Sequence, residues 1–173
     1  SYAVEMCFNL CNNILDKSIL IIGAGQTGEL TLQNFTKKGC KQIAICNRTF
    51  EKAEALAHQY NVKALRIKQI PEIINNYDIV LAATSSKSYL VTYSMITPDS
   101  RNRIFVDISV PRNIDEKISA IKNITLIAID DLKHHINEVS LRRHQALAMA
   151  EKILNEVKDD FAQWMSSRSL LPV

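Results

Sequence analysis

The chain has 173 residues, of which 47% are hydrophobic and 23% are charged, and its formal net charge is +3. Because it contains only four Gly and four Pro, this composition excludes a disordered or fibrous protein and predicts one globular domain with an appendage. The charge is too small and too scattered to indicate a nucleic-acid surface, and no apolar run reaches the roughly 20 residues that cross a bilayer. We therefore expect a soluble, cytoplasmic protein with no membrane partner.

The first predicted element is an amphipathic helix over residues 2–15, because apolar side chains recur there every three or four residues. Since the chain starts inside a helix, we expect it to be part of a longer protein. An unbroken apolar run follows at residues 18–23 and is typical of a strand that is buried on both faces of a parallel sheet.

The sequence then alternates between helical and strand patterns as far as residue 131. Helices are predicted at 26–38, 50–60, 71–75 and 115–121, and strands at 42–46, 63–66, 78–84, 103–109 and 124–129. This alternation predicts right-handed βαβ crossovers. The expected fold class is therefore α/β, with a Rossmann-type doubly wound parallel sheet in the order 3-2-1-4-5-6.

The tail has a different pattern, since residues 132–167 contain neither Gly nor Pro. One helical face of this segment carries an apolar stripe made of Leu147, Ala150, Leu154, Val157, Phe161 and Trp164. A helix of about 30 residues would be ~45 Å long, so we expect it to project toward another domain or subunit. The predicted organisation is a preceding helix at 1–16, a dinucleotide-binding domain at 17–131 and a long helix at 132–173.

A GxGxxG motif occurs at residues 23–28, directly after the first strand and at the start of a helix. In that context the first glycine permits a tight turn, the second lets the backbone approach a pyrophosphate, and the third lets helix and strand pack closely. The helix N-terminus offers N–H groups and a positive dipole end to phosphates. The candidate phosphate-binding residues are Gly23, Ala24, Gly25, Gln26, Thr27 and Gly28. A glycine-rich turn without a ligand is the alternative.

Asn47, Arg48 and Thr49 follow the second strand, where NAD-binding folds place a carboxylate that binds the adenosine ribose. A guanidinium beside an amide and a hydroxyl suits a dianionic 2′-phosphate instead, because Arg forms bidentate, charge-assisted hydrogen bonds. These residues predict NADPH as the cofactor. The alternative is that Arg48 is a solvated loop residue.

Two further loops are predicted at the carboxyl ends of the strands, where such sheets bind ligands. Thr84, Ser85 and Ser86 follow the fourth strand, and the loop at 107–115 follows the fifth. Their hydroxyl and backbone groups, together with Asp107, are candidates for contacts to ribose or nicotinamide. Helix capping or turn formation explains the same residues as an alternative.

The cysteines and histidines indicate neither a disulfide nor a metal site. All four cysteines lie in apolar stretches without a CxxC pair, so we expect reduced core thiols at Cys7, Cys11, Cys40 and Cys46. Three histidines near the start of the tail lack a carboxylate at metal-ligand spacing, namely His134, His135 and His144.

Five segments resemble, in this order and spacing, the NADPH-binding domain of glutamyl-tRNA reductase. They are LIIGAGQTGEL, CNRTFEKAEALA, DIVLAATSS, VDISVPRNID, and AIDDL before a long helix. The resemblance covers nearly the whole chain. The first two motifs also occur in shikimate dehydrogenase-like enzymes, whereas VPRNID and AIDDL are more specific.

The resemblance implies part of an oxidoreductase that reduces glutamyl-tRNA to glutamate-1-semialdehyde in tetrapyrrole (porphyrin and heme) biosynthesis. In that family a cysteine thiolate of an N-terminal catalytic domain forms a thioester, which NADPH then reduces. None of the four cysteines here matches that nucleophile, so we expect the chain to bind NADPH without reducing glutamyl-tRNA alone. The implied partners are glutamyl-tRNA, a second subunit in a homodimer built by a downstream domain, and the glutamate-1-semialdehyde aminomutase that takes the product.

By the same resemblance, residues 23–28 and 47–49 correspond to cofactor contacts, and residues 84–86 and 107–112 to weaker ones. Arg112 either pairs with one of the neighbouring aspartates, Asp107 or Asp115, or contacts the cofactor or the catalytic domain. Two other functions stay open. One is the NADP-binding domain of a shikimate dehydrogenase-like oxidoreductase, and the other is a non-catalytic NADPH-binding interaction module that dimerises through the stripe at 147–164.

Overall fold

The computed structural model describes residues 2–129 together with Met149, Val157 and Lys158. The chain divides into two compact units, Ser1–Leu132 and Lys133–Val173. The three residues described in the second unit are helical and exposed. The rest of the predicted long helix, with its apolar stripe and the three histidines, lies outside the described residues.

Within residues 2–129, six parallel strands form one sheet in the order β3-β2-β1-β4-β5-β6. The strands are β1 Ile19–Ile22, β2 Ile43–Asn47, β3 Lys63–Arg66, β4 Ile79–Ala82, β5 Arg103–Asp107 and β6 Ile124–Ala128. The two central strands are buried along their whole length, as their unbroken apolar runs predict. The predicted fold class and strand order are confirmed.

The register brings the carboxyl ends of four strands to one level. Ile22 at the end of β1 pairs with Cys46 on one side and with Ala82 on the other, and Ala82 pairs with Asp107. The residues that follow β2, β1, β4 and β5 therefore share one edge of the sheet. This edge is the place where a ligand binds in a doubly wound sheet.

The connecting helices are α1 Tyr2–Leu10, α2 Gln26–Lys37, α3 Phe50–Tyr60 and α4 Ile70–Ile73. Short 3₁₀ helices lie at Ile14–Asp16, Ile67–Gln69, Ile74–Asn76, Tyr93–Met95 and Glu116–Ala120. The helices predicted at 71–75 and 115–121 are therefore shorter or tighter than expected. Single 3₁₀ turns of this kind are common as connectors between elements.

The helix predicted over residues 2–15 ends at Leu10, because Asn13 takes a left-handed conformation with φ 54°. Asn tolerates this left-handed conformation better than most residues, and a residue in this conformation cannot continue a right-handed helix. Ile14 is buried, whereas Leu15 is half exposed.

Two apolar clusters cover the two faces of the sheet. Alternate residues of β1, β2 and β4 point to one face, where they pack on α1, α2 and α3. The intervening residues pack on α4 and the short 3₁₀ helices of the other face. α1 belongs to the first cluster through Val4 and Cys7, which are fully buried, so it packs on the core of the first unit. No helix among the described residues has the length and hydropathy of a membrane span.

Candidate functional site

A cleft of about 530 Å³ lies at the shared carboxyl edge of the strands. Its lining residues come from the loops that follow β1, β2, β4 and β5, from α3 and from the segment after β3. They are Gly23, Ala24, Gly25, Gln26, Thr27, Asn47, Arg48, Thr49, Lys52, Ile67, Ala83, Thr84, Ser85, Ser86, Leu90, Ile108 and Val110. No carboxylate occurs among these residues, so the charge of the lining is positive.

The three glycines of the GxGxxG motif have different surroundings. Gly23 has φ +116°, and a Cβ there would lie 2.3 Å from the Ala83 carbonyl oxygen. A Cβ on Gly28 would lie 2.0 Å from the Gly23 carbonyl oxygen, so only glycine lets α2 pack this closely on the loop. Gly25 is different, since a Cβ there would meet no atom within 4 Å. The space over Gly25 is open to a ligand in the cleft.

The N-terminus of α2 faces this space. Gly25 is the N-cap residue, and no residue that the structure describes accepts a hydrogen bond from the main-chain N–H of Gly25, Gln26 or Thr27. Such N–H groups, with the positive end of the helix dipole, form an anion-binding site. A pyrophosphate would accept hydrogen bonds from donors that have no partner within residues 2–129.

Asn47 joins the loop after β2 to the glycine loop. Its Oδ1 accepts a hydrogen bond from the Ala24 N–H at 3.3 Å, and its Nδ2 donates to the Thr49 carbonyl at 3.0 Å. Arg48 is exposed beside it, and within the described part of the chain its guanidinium has neither an ion pair nor a hydrogen bond. A cation without a partner among the described residues therefore lies in the cleft at the end of β2.

Lys52, Ile67, Ala83 and Leu90 line the cleft and were not predicted from the sequence as site residues. Lys52 lies in the first turn of α3, four residues after Arg48, and its position just after the predicted loop was the available signal. Ile67, Ala83 and Leu90 follow two different strands, so no local pattern marked them. Ile108 and Val110 also line the cleft, and both lie in the loop at 107–112 that the resemblance gave as a weaker cofactor contact.

Thr84, Ser85 and Ser86 line the cleft at the end of β4, whereas Asp107 does not line it. The Asp107 side chain is buried, and its carboxylate accepts hydrogen bonds from the N–H groups of Ser109, Asn113 and Ile114 at 3.0, 2.7 and 2.8 Å. These three hydrogen bonds hold the loop after β5 from its buried side. Gly28 also lies outside the lining.

Arg112 forms an ion pair with Glu116, at 3.7 Å between Nη1 and Oε2. Both side chains are largely exposed. Arg112 belongs to the loop after β5, and its acidic partner lies four residues further along the chain. This ion pair braces the start of the following 3₁₀ helix.

The cysteines take no part in the cleft. All four are free thiols; Cys7, Cys40 and Cys46 are buried, and Cys11 is partly buried. Burial raises the pKa of Cys7 and of Cys46 to about 12. These two thiols are therefore protonated near neutral pH, which excludes a thiolate nucleophile at either position.

The sequence pattern of the family described as shikimate / quinate 5-dehydrogenase matches residues 5–135, which is more than half of the chain. The chain belongs to this family. The match covers α1 from Glu5 onward and the whole six-stranded sheet.

The individual proteins that are similar to this chain have a more specific name than the family does. Glutamyl-tRNA reductase from Chlorobium chlorochromatii is 35% identical over 98% of this chain and 41% of its own length. Among solved structures, glutamyl-tRNA reductase from Methanopyrus kandleri has a TM-score of 0.76 at 24% identity, over 96% of this chain and 44% of that one. The nucleotide-binding domain of glutamyl-tRNA reductase from Thermoplasma volcanium has a TM-score of 0.66 at 22% identity, over 83% and 96%.

The resemblance to glutamyl-tRNA reductase that the five motifs indicated is confirmed by these relatives. The chain spans about two fifths of the length of the curated relatives it matches, 41% for the Chlorobium protein. The likeness to the solved structures establishes the fold.

Proposed function

We propose that this chain is the NADPH-binding domain of a glutamyl-tRNA reductase. The observation that carries the proposal is the pairing of two features in one cleft. The helix N-terminus at Gly25 offers N–H groups, and the neighbouring loop offers the Arg48 cation; none of these groups has a partner among the described residues, and no carboxylate lines the cleft there. Its curated relatives are glutamyl-tRNA reductases, which supports the reaction class.

The residues present fit a nicotinamide dinucleotide that carries a 2′-phosphate. The main-chain N–H groups at the start of α2 would hold the pyrophosphate, and the open space over Gly25 would admit it. Arg48, Thr49 and Lys52 would hold the 2′-phosphate, because two cations and a hydroxyl meet there without a competing acid. Thr84, Ser85 and Ser86 would contact the other half of the molecule.

NADPH supplies a hydride when it is bound. The chain's own residues then bind the cofactor, orient it and exclude water from one of its sides through Leu90, Ile108 and Val110. In the complete reductase, the resemblance assigns the thioester step to a cysteine of another domain. The buried thiols of this chain support that division, so we expect the 173 residues alone to bind NADPH and to reduce no glutamyl-tRNA. We include in the same proposal that the complete reductase forms a homodimer and that the glutamate-1-semialdehyde aminomutase accepts its product.

The test of the cofactor assignment compares NADPH with NADH. We expect the wild-type chain to bind NADPH more tightly, and Arg48→Ala to weaken NADPH binding about 10- to 100-fold while it leaves NADH binding unchanged, because the lost contact is a charge-assisted pair with the 2′-phosphate. The dissociation constants are measured by calorimetric titration of each cofactor.

Arg101→Ala is the matched control, since this exposed arginine pairs with Asp99 before the start of β5, at the opposite edge of the sheet. It should leave both constants unchanged. Equal affinity of the wild type for NADPH and NADH would contradict the assignment. Oxidation of shikimate or quinate by the chain would favour the shikimate dehydrogenase-like alternative.

A further inference from the structure

We propose that Asn113 and Ser109, neither of which lines the cleft, are positioning residues for the nicotinamide half of the cofactor. They hold the segment of residues 84–88 in the shape that receives this half. The inference rests on the proposed function, because it concerns the same cleft.

The Asn113 side chain is fully buried, and all its polar atoms are used between two loops. Its Oδ1 accepts a hydrogen bond from the Thr84 hydroxyl. Its Nδ2 donates to the carbonyl oxygens of Ser86 at 2.9 Å, Ser88 at 3.3 Å and Pro111 at 3.3 Å. One amide therefore fixes the backbone of the loop after β4 at two points and the Thr84 side chain at a third.

Ser109 adds an independent contact from the same loop. Its hydroxyl is buried and accepts a hydrogen bond from the Thr84 N–H at 3.1 Å. The Thr84 hydroxyl in turn accepts a hydrogen bond from the Ser86 N–H at 3.0 Å. The cleft-lining residues Thr84 and Ser86 are thus held by groups that lie behind them.

These contacts are anchored to the sheet. Asp107, the last residue of β5, accepts the N–H of Asn113 at 2.7 Å, so the position of the amide is fixed relative to the strand. The Asn113 carbonyl also accepts hydrogen bonds from the N–H groups of Leu90 and Val91 at 2.8 and 3.1 Å. Substitution of the side chain leaves these main-chain contacts in place and removes the contacts to residues 84–88, together with the bond to the Pro111 carbonyl in its own loop.

The position along the sheet edge assigns this segment to one half of the cofactor. The strands follow one another as β2, β1, β4 and β5, and three strand spacings separate the first from the last by about 15 Å. Arg48 lies at the β2 end and the phosphate-binding N–H groups at the β1 end. The half of NADPH beyond the pyrophosphate then lies at the β4 and β5 end, against Thr84, Ser85 and Ser86.

The test compares two ligands that differ in the nicotinamide half. NADPH has both halves, whereas 2′,5′-ADP carries only the adenosine with its phosphates. We expect Asn113→Ala and Ser109→Ala each to weaken NADPH binding about tenfold while 2′,5′-ADP binding changes less than about twofold, because the loop must then be ordered by the ligand. Ser109→Ala removes only a hydroxyl group, so it still tests the proposal if the Asn113→Ala variant fails to fold.

Asn75→Ala is the matched control. The Asn75 side chain also bridges two segments, by donating to the Met95 carbonyl at 2.9 Å and accepting from the Thr97 N–H at 2.9 Å, but it does so before the start of β4. This variant should lower the free energy of unfolding without changing the ratio of the two dissociation constants. Urea denaturation of each variant gives the stability change for comparison.

The possible results separate the two proposals. An equal loss of affinity for both ligands in Asn113→Ala and Ser109→Ala, or unchanged NADPH binding in both, would overturn the positioning role. A wild-type chain that binds neither NADPH nor 2′,5′-ADP would instead overturn the proposed function, and the positioning role with it.

Discussion

Gly25 and Gly28 lie three residues apart in the same GxGxxG motif, yet their surroundings predict opposite effects of an added methyl group. We expect Gly28→Ala to lower the free energy of unfolding by at least about 2 kcal/mol, because its Cβ would overlap the Gly23 carbonyl. Gly25→Ala should change stability by less than about 0.5 kcal/mol, since its φ of −87° suits alanine and its Cβ meets no atom. The same variant should lose NADPH binding, because the methyl group occupies the space for the pyrophosphate.

Urea denaturation and NADPH titration of both glycine variants check this pair. A Gly25→Ala variant that binds NADPH as the wild type does would show that the space over Gly25 is not used by the cofactor. A Gly28→Ala variant of unchanged stability would show that the helix shifts to admit the methyl group at no cost.

Two buried thiols predict that the free energy of unfolding decreases at alkaline pH. In the unfolded chain Cys7 and Cys46 ionise near pH 9.0, whereas burial raises their pKa in the folded state to about 12. Their contribution to stability is therefore fully present below pH 9 and is lost as the pH rises through this window. Each thiol contributes a loss of about 1.4 kcal/mol per pH unit.

Unfolding free energies at pH 8, 9 and 10 measure this loss. Cys46→Val removes one of the two thiols at nearly constant volume, so its stability should fall less steeply over this alkaline range, while Cys7 and the other thiols with raised pKa, Cys11 and Cys40, keep part of the slope. An identical slope for the wild type and the variant would assign the alkaline loss to other groups.

Arg103 connects elements on one face of the sheet. It is the first residue of β5 and is buried, and its guanidinium donates to the carbonyl oxygens of Ile74 at 2.7 Å and Tyr77 at 3.0 Å. Burial lowers its pKa. We expect Arg103→Met to lower the free energy of unfolding by about 2–4 kcal/mol, because these carbonyls lose their donors in an apolar environment.

Chemical denaturation of Arg103→Met beside Arg101→Ala checks this prediction. Arg101 pairs with Asp99 on the surface, so its loss should cost less than about 1 kcal/mol. Similar costs for the two variants would mean that Arg103 contributes no more than an exposed ion pair.

Ligand binding couples the cleft to the stability of the whole molecule. A ligand that binds only the folded state at 100 times its dissociation constant adds about 2.7 kcal/mol to the free energy of unfolding. We expect saturating NADPH to raise the melting temperature by about 5–10 °C, and NADH at the same concentration to raise it less. Differential scanning fluorimetry measures both shifts. The Gly25→Ala variant is the control, and a shift with NADPH in this variant would contradict the location of the site.

Strand patterns and motif positions allowed much of this molecule to be predicted. The apolar run at 18–23 indicated a strand buried on both faces, and the alternation of strands with helices gave the order 3-2-1-4-5-6. GxGxxG and Asn-Arg-Thr could be placed at the same edge of the sheet, because each directly follows a parallel strand. Periodicity and strand direction are local properties, so the sequence by itself determined them.

Only the tertiary structure decided which side chains meet across separate loops. Lys52 and Ile67 line the cleft from α3 and from the segment after β3. The Asp107 side chain accepts hydrogen bonds from its own loop instead of lining the cleft. Asn113 forms a hydrogen bond with Thr84, which lies 29 residues earlier in the chain. Hydrogen-bond partners of this kind depend on the three-dimensional meeting of strand ends and leave no periodic pattern. The sequence therefore determined the sheet and the chemistry at its edge, and the packing of the loops decided how that chemistry is held.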